Sequence, residues 1–262
     1  MISALLKDID VVDEGTGPVV ALAHGAGGGV RENFGPLISA AGDLRFVGPY
    51  YPGAGKTPLA TEPLSLERLA DTVVAAALET GAERFPVAGL SLGAAVAVTA
   101  AVRHPSHVSG LVLTVGVARH DAQLRAYATV WRRLAEREDF DALAELMLHA
   151  AGSPAALAAL SPADHAEAVR QIRQGYPAGG AAHAELAART DVTPLLGAID
   201  VPTLVVVGGQ DRIVLPDTAR LFATGIRGAE LVEYPGAGHI FSPPEAARWA
   251  SDVLPFLRRV VA

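Results

Sequence analysis

Residues 87–95, V-A-G-L-S-L-G-A-A, constrain what this chain can fold into more than any other stretch. Around them, residues 85–90 form a short apolar run that reads as a buried strand, and the alanine-rich residues 92–102 read as a helix. Ser91 stands at the joint, flanked by Gly89 and Gly93. A strand that turns into a helix within so few residues presses backbone against backbone, and glycine leaves room for that approach. Such a turn lifts the Ser91 hydroxyl clear of the sheet and sets it beside the positive end of the helix dipole. The same residues would also suit a serine that only caps a helix between packing glycines. The remaining chain has to decide.

Two early strands are expected over residues 9–12 and 18–23, separated by the turn-rich D-E-G-T-G of residues 13–17. The second runs into His24-Gly25-Ala26-Gly27-Gly28-Gly29. This run lacks the lysine and hydroxyl residue of a phosphate-cradling loop and the spacing of a dinucleotide fingerprint. Its small residues do let backbone N–H groups face a neighbouring site. A helix over 32–41, a strand over 44–47 and a helix over 64–78 follow, with Y-Y-P-G-A-G-K-T at 50–57 between the last two. Pro105 ends the helix that begins after Ser91, and residues 108–115 read as a further buried strand. From 118 to 198 strand-like runs disappear. Helical segments replace them at 122–137, 140–151, 162–174 and 181–188, punctuated by Pro154, Pro162 and the P-A-G-G of 177–180. Strands return at 201–207 and 230–234, each followed by a glycine-containing turn, G-G-Q-D ending at Asp211 and P-G-A-G-H ending at His239. A helix over 244–261 closes the chain.

Composition narrows the function. A chain of 262 residues can bury one large core with a smaller appendage. The formal charge of −7 and the absence of any basic run argue against nucleic acid as a partner. With no cysteine there is no disulfide, thiolate metal site or cysteine nucleophile. No histidine and carboxylate motif has metal-ligand spacing such as H-E-x-x-H, so neither a metal nor another cofactor is expected. No apolar run is long enough to span a bilayer, and residues 1–13 carry three aspartates without the apolar core of a leader. A cytoplasmic protein acting on a small molecule, as monomer or homodimer, is the expectation.

On the G-x-S-x-G elbow, the His24-Gly25 loop, the G-x-x-D loop and the terminal G-x-G-H, the chain resembles the α/β-hydrolases, in their serine-nucleophile branch. The resemblance covers nearly the whole chain. It implies an α/β fold with a mostly parallel central sheet flanked by helices, a core of residues 1–117 and 199–262, and an all-helical cap at 118–198 inserted before the late strands. It implies Ser91 as nucleophile, His239 as base and Asp211 as acid, with Asp121 as the fallback acid because some relatives place theirs after the preceding strand. The N–H groups of Ala26 and Leu92 would form the oxyanion hole. The family's loop after the third strand usually reads D-x-P-G-x-G-x-S, and here Tyr50 replaces the acid. Tyr50, Tyr51, Trp131, Met147, His149 and Tyr176 are candidate pocket residues, whereas His24 reads as structural and His104 and His107 as surface caps. Serine at the elbow argues against the dehalogenases and epoxide hydrolases of this fold, which use aspartate there.

The implied chemistry is acyl transfer through Ser91, with cleavage of a carboxylic ester, lactone or thioester of a small to medium apolar substrate as the leading expectation. Activity should then fall as His239 becomes protonated. Carbon–carbon bond hydrolysis, a biosynthetic cyclase that captures the intermediate internally, and a ligand sensor with slow turnover stay open.

Overall fold

A computed structural model describes residues 5–261. The first four residues of the segment read as lacking a leader therefore lie outside the described residues. Seven strands form one sheet: β1 (Val11–Gly15), β2 (Val19–Ala23), β3 (Arg45–Pro49), β4 (Phe85–Leu90), β5 (Val108–Thr114), β6 (Thr203–Gly208) and β7 (Glu230–Tyr234). Their spatial order is β1-β3-β2-β4-β5-β6-β7, with β1 antiparallel to β3 and every other pair parallel.

Strands buried on both faces read as continuous apolar runs, because helices cover each side. Val19, Ala21 and Ala23 of β2 face one layer, which holds α2 (Leu66–Glu79) and α3 (Leu92–Arg103). Val20 and Leu22 face the other layer, formed by α1 (Val30–Ala40) and the C-terminal helix described below. Alternation along one strand thus divides the core into two halves.

Between β5 and β6 the chain forms α4 (Ala122–Glu136), α5 (Phe140–Ala151), α6 (Pro154–Ala158), α7 (Pro162–Gly175) and α8 (Gly180–Ala187), then a 3₁₀ turn at Thr193–Ala198. Side chains of Asp121, Asp139, Ser153 and Ser161 cap the first four of these helices by accepting from backbone N–H groups. After β6 come α9 (Pro216–Gly225) and, after β7, α10 (Pro243–Val260). Trp249 of α10 donates its indole N–H to Thr114 Oγ1 at 3.0 Å, tying the last helix to β5.

Most expected ends shift by no more than two residues, and four elements differ further. The first strand starts two residues later and runs through Asp13 and Glu14, because pairing with β3 extends through this polar edge segment. The single-turn α6, the 3₁₀ turn and α9 have no counterpart in the expectation. Helix α9 opens on Pro216 and buries only Thr218, Ala219 and Phe222, too short a stripe to stand out as periodic. None of the helices among the described residues is long and apolar enough to cross a membrane.

Candidate active site

The turn after β4 has the tightness its glycines imply. Ser91 adopts φ 57° and ψ −118°, a conformation that costs a non-glycine residue about 1–3 kcal/mol and persists only when its surroundings impose it. Here Ser91 N–H donates to Thr114 O at 2.9 Å, and Ser91 O accepts from Ala94 and Val117 N–H at 3.1 Å each. A methyl group at Gly89 would strike the Gly93 carbonyl, and one at Gly93 would strike that of Ala23. Strand, turn and helix interlock at backbone distance.

Two later loops converge on this turn. His239 Nε2 lies 3.0 Å from Ser91 Oγ, and His239 Nδ1 lies 2.6 Å from Asp211 Oδ2. The other oxygen of Asp211 accepts from the N–H groups of Ile213 and Val214 at 2.9 Å each, which fixes the carboxylate plane. With Asp211 accepting at Nδ1–H, the His239 lone pair faces the serine hydroxyl. All three side chains are nearly buried, Asp211 at 4% exposure.

Helix α3 begins at Leu92, whose N–H points out of the helix N-terminus, and Ala26 lies in the loop after β2. Neither N–H donates to a protein acceptor among the described residues. The residues beside Ala26 are pinned: Gly25 N–H donates to Asn33 Oδ1 at 2.7 Å, and Gly27 N–H makes a long 3.4 Å bond to His183 Nδ1.

A pair of buried histidines supports this loop. His24 Nδ1–H donates to Gly25 O at 2.8 Å while Nε2 accepts from Tyr51 N–H at 2.8 Å. His183, on α8, donates from Nε2 to Pro52 O at 3.0 Å. Each ring is therefore neutral with a defined tautomer. Burial pushes His24 down to about 3, with a further contribution from His183, and burial pushes His183 down to about 4.

Ser91 and His239 open onto a cavity of about 430 Å³. Its walls are mostly apolar, with Leu124, Tyr127 and Trp131 from α4, Met147 and Ala151 from α5, and Gln171 and Ile172 from α7. Trp131 and Met147 thus reach the cavity, and a side chain at Gly27 would collide with the Trp131 ring. The other four candidates do not line it. Tyr51 stacks on His24 with ring centroids 3.8 Å apart, and Tyr50 is buried against Gly29 and Gly55, because the chain leaving β3 turns both rings under the glycine loop. Tyr176 stands behind Trp131, accepting its indole N–H at 2.9 Å. His149 points off the outer side of α5 toward His165. Asp121 caps α4 and accepts from Thr218 Oγ1, so it is engaged elsewhere. His104 pairs with Asp71 at 2.7 Å and His107 with the Glu83 carbonyl, both at the far end of α3.

Four residues beyond the sequence reading shape the site. His183 is a lone histidine on an alanine-rich helix, with no sequence signal of its partners. Tyr127 shares a helical stripe with Leu124 and Trp131, a spacing that could have revealed it. Its hydroxyl is buried without a partner, and burial together with the nearby Asp211 charge raises its pKa. Arg212, next to Asp211, donates to the carbonyls of His149 and Gly152, while Ile240, next to His239, donates its N–H to Ala151 O at 3.0 Å. The last turn of α5 thus holds both loops.

The family signature of the α/β hydrolase fold matches residues 18–246. The chain belongs to the α/β-hydrolase family. Among similar proteins, pyrrolizixenacetamide deacetylase of Xenorhabdus hominickii is 32% identical over 241 residues, covering 88% of this chain and 89% of that one. A pimeloyl-[acyl-carrier protein] methyl ester esterase of Neisseria meningitidis is 33% identical over 233 residues, 84% of this hydrolase and 70% of the esterase. The thermophilic esterase of Thermogutta terrifontis superposes with a TM-score of 0.81 at 28% identity, covering 97% of this hydrolase and 94% of the esterase.

Proposed function

We propose that this hydrolase cleaves carboxylic esters, lactones or thioesters of small to medium apolar acyl groups through an acyl-enzyme on Ser91. The observation that carries the reading is the continuous relay Asp211–His239–Ser91, at 2.6 and 3.0 Å, opening onto an apolar cavity. His239 takes the Ser91 proton as Oγ bonds to the carbonyl carbon, and Asp211 stabilises the resulting imidazolium. The Ala26 and Leu92 N–H groups hold the oxyanion, where each donor contributes about 3 kcal/mol to lowering the barrier. The oxyanion collapses, the carbon–oxygen or carbon–sulfur bond breaks, and His239 returns the proton to the leaving group. A water deprotonated by His239 then attacks the acyl-enzyme and releases the acid.

Size and charge narrow the substrate. A cavity of about 430 Å³ falls in the range that encloses one small organic molecule. Its walls include no lysine or arginine among the described residues, and Glu32 is their one carboxylate, so an anionic acyl chain would lack a counter-charge there. A neutral acyl group fits. Likeness to a methyl ester esterase and a deacetylase supports the hydrolytic direction over cyclisation or ligand sensing.

The test is turnover of p-nitrophenyl esters from acetyl to octanoyl, with mass spectrometry of the quenched enzyme. Ser91→Ala should lower kcat by roughly 10³-fold or more and remove any acyl adduct. Full turnover by that variant would eliminate the covalent route. Binding with negligible turnover by the native enzyme would favour a sensor.

A further inference from the structure

Glu145 and His149 lie one turn apart on α5, and His165 reaches them from the first turn of α7. Their ligand atoms meet in a triangle. His149 Nε2 is 3.3 Å from His165 Nε2, and Glu145 Oε2 is 3.1 Å from His165 Nε2 and 3.7 Å from His149 Nε2. We propose that these three side chains form a zinc-class metal site that clamps α5 to α7 in the cap.

The geometry suits an ion better than it suits protons. Two imidazole nitrogens this close cannot both carry a hydrogen directed at the other. A cation at the centre would engage all three lone pairs together. The point equidistant from the three atoms lies about 2.0 Å from each, and zinc binds imidazole nitrogen and carboxylate oxygen at roughly 2.0–2.2 Å. Three protein ligands would leave the fourth tetrahedral position for water. The donor set also selects the metal class, since two imidazoles and one carboxylate suit zinc and its neighbours, whereas magnesium and calcium require oxygen ligands.

The site lies on a seam that already carries one cross-link. Arg173 of α7 pairs with Asp141 of α5 at 2.8 Å, and the antiparallel helices bring His165 to Glu145 and His149 two turns further along. Beyond the seam, α5 contributes Met147 and Ala151 to the cavity and α7 contributes Gln171 and Ile172. A bound ion would therefore fix the spacing of two cavity walls without touching the cavity.

The test uses the full chain without a polyhistidine tag, stripped with chelator and titrated with zinc chloride near neutral pH by calorimetry. One equivalent should bind, and His149→Ala or His165→Ala should each weaken it at least tenfold, with Glu145→Gln intermediate. Cobalt should give the intense visible bands of tetrahedral coordination in the native protein, displaced by zinc but not by magnesium or calcium. Zinc at a hundredfold excess over its Kd should raise Tm by about 5 °C or more. Retained ester hydrolysis in the metal-free variants shows that they are folded. Absence of one-to-one uptake, or native affinity in both histidine variants, would overturn the proposal.

Discussion

Helix α3 carries Ser91 at its N-cap and helix α7 lines the cavity that Ser91 opens onto, yet the two are built on opposite terms. Every residue of α3 from Leu92 to Ala101 is buried, and its first turn touches the backbone of β2. Helix α7 has no buried residue and is held by its edges, through Arg173 and His165 on one side and a few cavity contacts on the other. The difference separates two jobs. The element beneath Ser91 cannot shift without moving the sheet, while the element that lines the cavity can change its side chains without disturbing the core.

The sharpest way to break this contrast is Gly93→Ala. A methyl group there would overlap the Ala23 carbonyl, at the point where the loop carrying Ala26 begins. The expected outcome is a loss of about 3 kcal/mol or more in urea unfolding, with activity falling alongside. Native stability in that variant would show that strand and helix are not locked together.

The next effect is smaller and depends on pH. His24 and His183 stay neutral in the fold, at about 3 and about 4, whereas an unfolded histidine takes up its proton near pH ~6.5. Their folded values are depressed, so the stability they contribute is complete above that pH and is lost as pH falls toward the folded values. His183→Gln should flatten the dependence of unfolding free energy on pH, between roughly pH 6 and pH 4.5, by up to about 1.4 kcal/mol per pH unit. An unchanged slope would mean that His183 protonates within the folded protein.

The mildest change is expected on α7. Ile172→Ala trims a half-buried cavity wall, so stability should move by under about 1 kcal/mol while preference between acetyl and octanoyl esters shifts by roughly tenfold. A large loss of stability with unaltered preference would reverse the roles assigned to the two helices.

The same contrast explains what the sequence made legible. The β4–α3 turn could be read to the residue, because its glycines and the apolar runs beside them are local signals for a local geometry. The G-x-x-D and G-x-G-H loops were legible through the family resemblance, and the structure brings Asp211 and His239 to Ser91. The cap's helices were visible from their spacing, but not which residues face inward. Trp131 and Tyr176 are both aromatic, yet one walls the cavity and the other stands behind it accepting its indole N–H, a distinction set by tertiary packing rather than local pattern. Tyr50 and Tyr51 looked like pocket residues because the direction of the chain after β3 is not encoded within the loop itself. His183 offered nothing to read, since its partners Gly27 and Pro52 lie more than 130 residues away.

The last turn of α5 gives its carbonyls to the residues that directly follow the proposed acid and base, Arg212 and Ile240. Raising that helix to admit a bulky guest would surrender these bonds and loosen Asp211 and His239 together. One turn of one helix thus serves both as a wall over the cavity and as the anchor of the two loops that face Ser91.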